Sequence, residues 1–312
     1  MRRTVRSSVD ESEAIHLRAP CLIGGIFWRA LDSERPYGVE VVGDPYDLFA
    51  PGAFPEKMRP LYRTWFTRRL RLQCAHATAA AYVTERGLQG RYPPAPSAFT
   101  TYFSDVDLGE EAFVTGPRAS LTKGTATTLI MVGSLEQLYK GPNILIEAVA
   151  IALRRGANVR LVIVGEGKRR QDLEKQVTTL GIQSQVEFRG QVPAGDGVRR
   201  QLDAADVFVL PSFQEGLPKA MIEAMARGLP CLGSAVGGIP ELLSPQDLVQ
   251  PGDVLALADK ICEVTGHPER MAQMSVRNLA KASDYREHTL RERRLAFYLQ
   301  VKHQTEAWLK TR

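Results

Sequence analysis

An α/β protein with a doubly wound parallel sheet in its C-terminal half is what this sequence predicts, and three observations predict it. Short apolar runs alternate with stretches of helical period from residue 128 onward; the runs are apolar throughout, as in strands covered on both faces; and glycines follow most of them. Such alternation sets strands side by side in parallel, with ligands beyond their carboxyl ends. In order, the strands are 128–132, 159–164, 186–188, 207–210 and 231–236. The helices between them are 143–154, 168–180, 196–204 and 218–227.

The last strand–helix–strand passage, PSFQEGLPKAMIEAMARGLPCLGSAVGGIPELL from Pro211, is the most informative part of the chain. Pro211 closes an apolar run, and Pro218 suits a first helical position, where its missing N–H costs nothing. Gly228 followed by Pro230 stops the helix. Backbone N–H groups of Gly216, Leu217 and Lys219 then point out of the helix N-terminus, an environment that favours phosphate. Glu215 sits at its mouth, and Glu223 lies just over one turn in and leans back towards it. Ionised carboxylates accept hydrogen bonds from sugar hydroxyls, so the pair suits a phosphorylated, polyhydroxylated ligand. Taken singly, each glutamate reads as an ordinary charge near a helix start.

The frame around that pair resembles the E-x7-E signature of retaining glycosyltransferases of family 4, EGxPxxxxEAMAxGxPxxxxxxGGxPE. That resemblance implies GT-B architecture: two Rossmann-like domains, the C-terminal one binding a nucleotide diphosphate sugar. It implies a domain at 124–284 for that donor and a helix at 285–312 crossing back to the first domain, with Tyr298, Val301 and Trp308 as its packing residues. It assigns Glu215 to the donor-sugar hydroxyls and Glu223 to the ribose, and implies no metal or other cofactor.

Three strand ends extend the likeness. VGSLEQLYKG is similar to a loop in which a basic pair grips the donor diphosphate; Lys140 matches the lysine, and Ser134 stands where the arginine is expected. VIVGEGKRR sets Gly165 and Gly167 where backbone can approach a ligand. VEFRGQVP is similar to the segment whose backbone, near Val192, meets the base.

Residues 1–123 fit an acceptor-side domain only in part. Segments 14–17, 39–42, 78–83 and 102–108 resemble its later strands, while the family's first strands and glycine-rich loop have no counterpart, so an incomplete N-terminal domain is expected. Asp44 occupies the place of a family histidine near the reacting sugar; the alternative is an Asx turn before a helix. His16 and Arg18 project from a strand end and suit either the cleft or a structural role. Segment 56–74 interleaves Arg59, Arg63, Arg68, Arg69 and Arg71 with Leu61, Tyr62, Trp65, Phe66, Leu70 and Leu72. Such a helix either packs on its sheet with solvated arginines or lies peripherally on an anionic membrane.

Composition sets bounds without choosing among ligands. With 312 residues, 44% hydrophobic and 24% charged content and a net charge of +5, the chain has room for two ordinary domains and no sign of disorder. Four scattered cysteines suggest neither a zinc site nor a disulfide framework, and no run is long and apolar enough for a membrane span, so a cytoplasmic location is expected. No nucleic-acid motif is present. The reading is a glycosyltransferase moving sugar with retention from a nucleotide diphosphate sugar to a carbohydrate or lipid-linked hydroxyl, in polysaccharide or glycolipid biosynthesis. The alternative is a truncated nucleotide-sugar-binding remnant or subunit without activity of its own. A GT-B sugar-nucleotide epimerase would require carboxylates and a basic set that this sequence does not place at these spacings.

Overall fold

The structure, a computed structural model, describes residues 13–32, 34–49, 58–106, 108–118 and 126–312. Two compact units make up the chain: unit 1 takes residues 1–105, 215–217 and 288–312, and unit 2 takes 106–214 and 218–287.

Unit 1 is built on four parallel strands in the order β1 (His16–Ala19), β2 (Gly38–Val41), β3 (Ala79–Tyr82) and β4 (Phe99–Tyr102). Their connections carry α1 (Leu22–Ala30), α2 (Pro45–Leu48), α3 (Arg59–His76) and α4 (Gly87–Arg91). The strand expected at 102–108 lies earlier, because Phe99 pairs with Ala79 and Tyr102 with Tyr82. Phe103, Val106 and Leu108 are buried all the same, as loop residues packed by tertiary contact, which is why their apolarity imitates a strand. In α3 the buried residues are Thr67, Arg69, Leu70, Gln73 and Cys74. Leu61, Trp65 and Leu72, read as one stripe with Leu70, are exposed. Residues 56 and 57 of that segment, like the arginine-bearing start at 1–12, lie outside the described residues.

The closing helix of the chain, Glu287–Leu309, crosses β2 at Gly38. A Cβ there would meet Val301 Cγ2 at 2.5 Å and Phe297 Cζ at 2.8 Å, so the glycine admits the helix. Its buried face is Leu290, Phe297, Val301 and Thr305. Val301 is where the sequence placed it, whereas Tyr298 is 42% exposed and Phe297, which meets Phe103 edge-on, takes the central position. Trp308 is half-buried under the guanidinium of Arg35. Position 297 rather than 298 points inward because the helix phase is set by Gly38, far away in sequence.

Unit 2 is a six-stranded, wholly parallel sheet in the order β10-β9-β8-β5-β6-β7. The strands are β5 (Thr127–Val132), β6 (Val159–Val164), β7 (Val186–Gly190), β8 (Val207–Leu210), β9 (Cys231–Ser234) and the short β10 (Leu248–Val249). Helices α5 (Pro142–Arg154), α6 (Arg170–Leu180), α7 (Asp196–Asp203) and α8 (Lys219–Ala226) alternate with them; α9 (Ile239–Leu242), α10 (Val254–Thr265) and α11 (Pro268–Ala282) follow, and Glu287–Leu309 is α12. Order reverses between β5 and β8, a topological switch point at which α/β sheets open a ligand crevice. The central strands are fully buried, with Leu129, Ile130, Met131, Phe208 and Leu210 all at 0% exposure. Among the described residues no helix is long and apolar enough to cross a membrane, and the four cysteines are free.

Candidate functional site

Three loops at the carboxyl edge of the second sheet are pinned to one another by backbone. Gly133 donates its N–H to Val164 O at 2.9 Å, Leu135 to Glu166 O at 2.8 Å, and Gly165 to Gly190 O at 2.9 Å. Two of the glycines are there for contact with protein. A Cβ on Gly165, at φ +147°, would lie 1.9 Å from Gly133 O, and one on Gly167, at φ +156°, would lie 2.1 Å from Glu136 N. The sequence assigns these glycines to ligand approach; the structure shows instead that they let the loop after β6 nest against the loop after β5. Because both clashes are with backbone, Gly165→Ala is expected to destabilise unit 2 by roughly 2–4 kcal/mol. Denaturant unfolding checks this, and a change below roughly 0.5 kcal/mol contradicts it.

The same nesting fixes Lys140, which ends a single 3-10 turn, Leu138–Lys140. A Cβ on Gly133 would sit 2.5 Å from Lys140 Cδ, so the lysine stem runs over a residue that has no side chain. On its other side Gly141 takes φ +71°, and a Cβ there would be 2.2 Å from Pro211 O. Phe213 donates to Tyr139 O at 2.7 Å. Lys140 is thereby tied both to the loop after β6 and to the loop after β8. Ser134, in the expected arginine position, accepts the Glu136 N–H at 3.2 Å and caps its own turn.

Helix α8 begins one residue later than its sequence suggests. Pro218 is the N-cap, with φ −74° and ψ 106°, and its carbonyl accepts from Met221 and Ile222. Lys219 and Ala220 therefore occupy the first two helical positions, where N–H groups lack intrahelical acceptors. Gly216 and Leu217 precede the helix in the 215–217 segment that belongs to unit 1. Glu215 in that segment is 9% exposed.

Glu223 lies one turn into α8 and is half-buried. Burial pushes its carboxyl above the ordinary glutamate value, while Lys219 and Arg199 pull it back. Among the described residues no group donates a hydrogen bond to it, an unusual state for a half-buried carboxylate. Arg199 was not foreseen; it approaches from α7, a neighbour that sequence spacing does not reveal. Val192, half-exposed, follows β7 in the loop that leads to α7.

Asp44 serves the fold of unit 1. It accepts from Tyr46 N at 2.8 Å as the cap of α2 and binds Arg91 and the Tyr92 hydroxyl, with only 7% of the residue exposed. The Asx-turn alternative describes its geometry, and its acceptor positions are committed to protein. His16 is likewise engaged, with Nε2 3.0 Å from the buried Glu40, which Arg18 also approaches.

Residues 126–267 match the family model described as glycosyl transferases group 1. This segment is similar to the glycosyl transferases of group 1. Protein CapJ of Staphylococcus aureus is 27% identical over 258 residues, covering 81% of this chain and 63% of CapJ. The putative colanic acid biosynthesis glycosyltransferase WcaL of Escherichia coli is 34% identical over 154 residues, covering 46% of this chain and 37% of WcaL. The chain thus spans just under two thirds of CapJ and well under half of WcaL. Among solved structures, HepE of Anabaena in complex with UDP superposes with a TM-score of 0.67 at 18% identity, covering 99% of this chain and 81% of HepE. Such neighbours share the GT-B fold, and the present chain has it. The matched segment lies within unit 2 except for residues 215–217, and it holds Lys140, the nested glycines and Glu223.

Proposed function

We propose that the chain carries the donor-binding machinery of a retaining, family 4 glycosyltransferase that moves a sugar from a UDP-sugar to an acceptor hydroxyl in polysaccharide or glycolipid synthesis. The observation that carries this reading is the conjunction, on one sheet edge, of a lysine held by two loops and a half-buried carboxylate that has no donor among the described residues. In this reading Lys140 and the N–H groups at the start of α8 offset charge building on the departing diphosphate, the interaction worth most in the transition state. Glu223 accepts the ribose hydroxyls, Glu215 the donor-sugar hydroxyls, and backbone near Val192 meets the base. Ser134 offers a hydroxyl to a phosphate oxygen without neutralising it. Asp44 takes no part in the chemistry, since its acceptors are filled by Tyr46, Arg91 and Tyr92.

Support for the class of pathway comes from WcaL, a putative colanic acid biosynthesis glycosyltransferase, and from AmsK of Erwinia amylovora, an amylovoran biosynthesis glycosyltransferase. Support for uridine comes from HepE, solved with UDP and with UDP-glucose. A thermal-shift series with UDP, UDP-glucose, GDP and GDP-mannose tests the reading. A uridine nucleotide at about 100 times its Kd is expected to add roughly 2.7 kcal/mol of stability. If none of the four raises Tm, the reading fails; stabilisation without sugar transfer to any acceptor would favour a nucleotide-sugar-binding subunit.

A further inference from the structure

Unit 1 holds a groove of about 540 Å³ whose lining includes Tyr46, Phe49, Arg59, Arg63, Arg68 and Arg71 and, among the described residues, no acidic one. Tyr46 and Phe49 come from the segment directly after β2, at the carboxyl end of the sheet, where α/β folds bind ligands. The four arginines come from α3 as two neighbouring pairs, Arg59 with Arg63 and Arg68 with Arg71, that flank the groove.

The nearby carboxylates offset that face only in part. Asp44 and Asp47 pair with Arg91, and Asp47 also acts on Arg63, which leaves Arg68 and Arg71 as the uncompensated cations. Arg71 donates its Nε to the Arg91 carbonyl at 3.0 Å, a bond that leaves its charge uncompensated. Arg68 is exposed and makes no hydrogen bond or ion pair among the described residues. Arg63 is held in place by a 2.8 Å bond to Tyr46 O and by its guanidinium 3.3 Å from the centroid of the Tyr46 ring. The N-terminal end of α3 adds to the field: its first turn has no acidic residue and its N-cap offers no side-chain bond. Cations clustered there oppose the helix dipole unless an anion accompanies them.

We infer that this groove binds a phosphate group of the acceptor, so that the acceptor is a saccharide phosphate or a diphosphate-linked saccharide. Guanidinium forks match phosphate oxygens two at a time, and Arg68 and Arg71 supply the free forks. Tyr46 bounds the groove with its ring held by the Arg63 and Arg91 guanidinium groups, which keeps that wall cationic. The inference names a substrate class for the glycosyltransferase reading and rests on it, but the site itself can be tested without any nucleotide.

The experiment is calorimetric titration of inorganic pyrophosphate into the full chain, its Arg68→Ala/Arg71→Ala variant, and Lys140→Ala. Both arginines are exposed, so the double variant is expected to fold with an unchanged Tm. It should bind pyrophosphate at least about tenfold more weakly than the unaltered chain. Lys140→Ala, altered at the donor-diphosphate site of unit 2, should lose only pyrophosphate bound there and keep the groove affinity, so the arginine effect is also read in the Lys140→Ala background. Equal affinity in the unaltered chain and the double arginine variant, or no binding by either, overturns the proposal. Flotation with phosphatidylcholine vesicles, with and without phosphatidic acid, separates the sources. Arginine-dependent flotation with phosphatidic acid indicates a lipid-linked phosphate; pyrophosphate binding without flotation indicates a soluble one. A chain that binds pyrophosphate in the groove but is stabilised by no nucleotide would sink the transferase reading and leave the phosphate site standing.

Discussion

Lys140→Ala is expected to lower kcat about 10²–10³-fold while KM for the donor changes much less. Negative charge on the diphosphate is greatest as the glycosidic bond breaks, so a cation there is worth more to the transition state than to bound donor. The structure supplies the preorganisation that this argument needs. Gly133 leaves room for the lysine stem, and Gly141, held against Pro211 O, fixes where the turn ends. Side-chain entropy lost in positioning the ammonium has thus been spent on folding rather than on binding. Stability should change by less than roughly 1 kcal/mol, because the side chain is only half-buried. Gly133→Ala is a companion variant: its Cβ would displace Lys140 Cδ and should reproduce part of the loss with the charge intact. Steady-state rates with a UDP-sugar decide the matter, and an unchanged kcat in Lys140→Ala would remove the residue from the mechanism.

Glu223→Gln is expected to weaken nucleotide binding about tenfold or more and to raise Tm of the free protein by a few degrees. The first effect follows from exchanging an ionised acceptor, good for two hydroxyls, for a neutral amide. The second follows from the raised carboxyl of Glu223. Between the ordinary glutamate value and the raised one, the folded chain holds more proton than the unfolded chain, so stability falls as pH rises through that window. At neutral pH the carboxylate is ionised and half-desolvated, a cost that glutamine does not carry. Nucleotide affinity of the unaltered protein should accordingly decline with falling pH earlier than an ordinary glutamate would require. Calorimetry across pH together with thermal melts checks both effects. A variant with unchanged affinity would show that the carboxylate is not a ligand group, whatever its Tm.

These expectations rest on features that the sequence shows to different degrees. The strands at 159–164 and 207–210 fall where periodicity puts them, because continuous apolar runs closed by glycine or proline have few other ways to be buried. Lys140 and Glu223 are visible through their motif frame. Boundaries were harder. Pro218 is the N-cap of α8 and not its first helical residue, since a proline fits both positions and only the ψ of 106° chooses between them. Helix α1, LIGGIFWRA, has no expectation from the sequence, because two glycines weaken its helical signal; Gly25 is there because the Arg69 guanidinium fills the space its side chain would need.

The sequence by itself determined a parallel α/β sheet in the C-terminal half, its alternation of elements and the identity of the charged groups at its edge. These are properties of local period and residue type, and they do not depend on what lies across the sheet. Only tertiary structure decided that Gly165 and Gly167 seat one loop on another, that Asp44 is consumed by Tyr46, Arg91 and Tyr92, that Arg199 reaches Glu223, and that four arginines of α3 share a groove with Tyr46 and Phe49. Each of those contacts joins residues distant in the chain, and a glycine, carboxylate or arginine takes its role from the neighbour that folding brings to it.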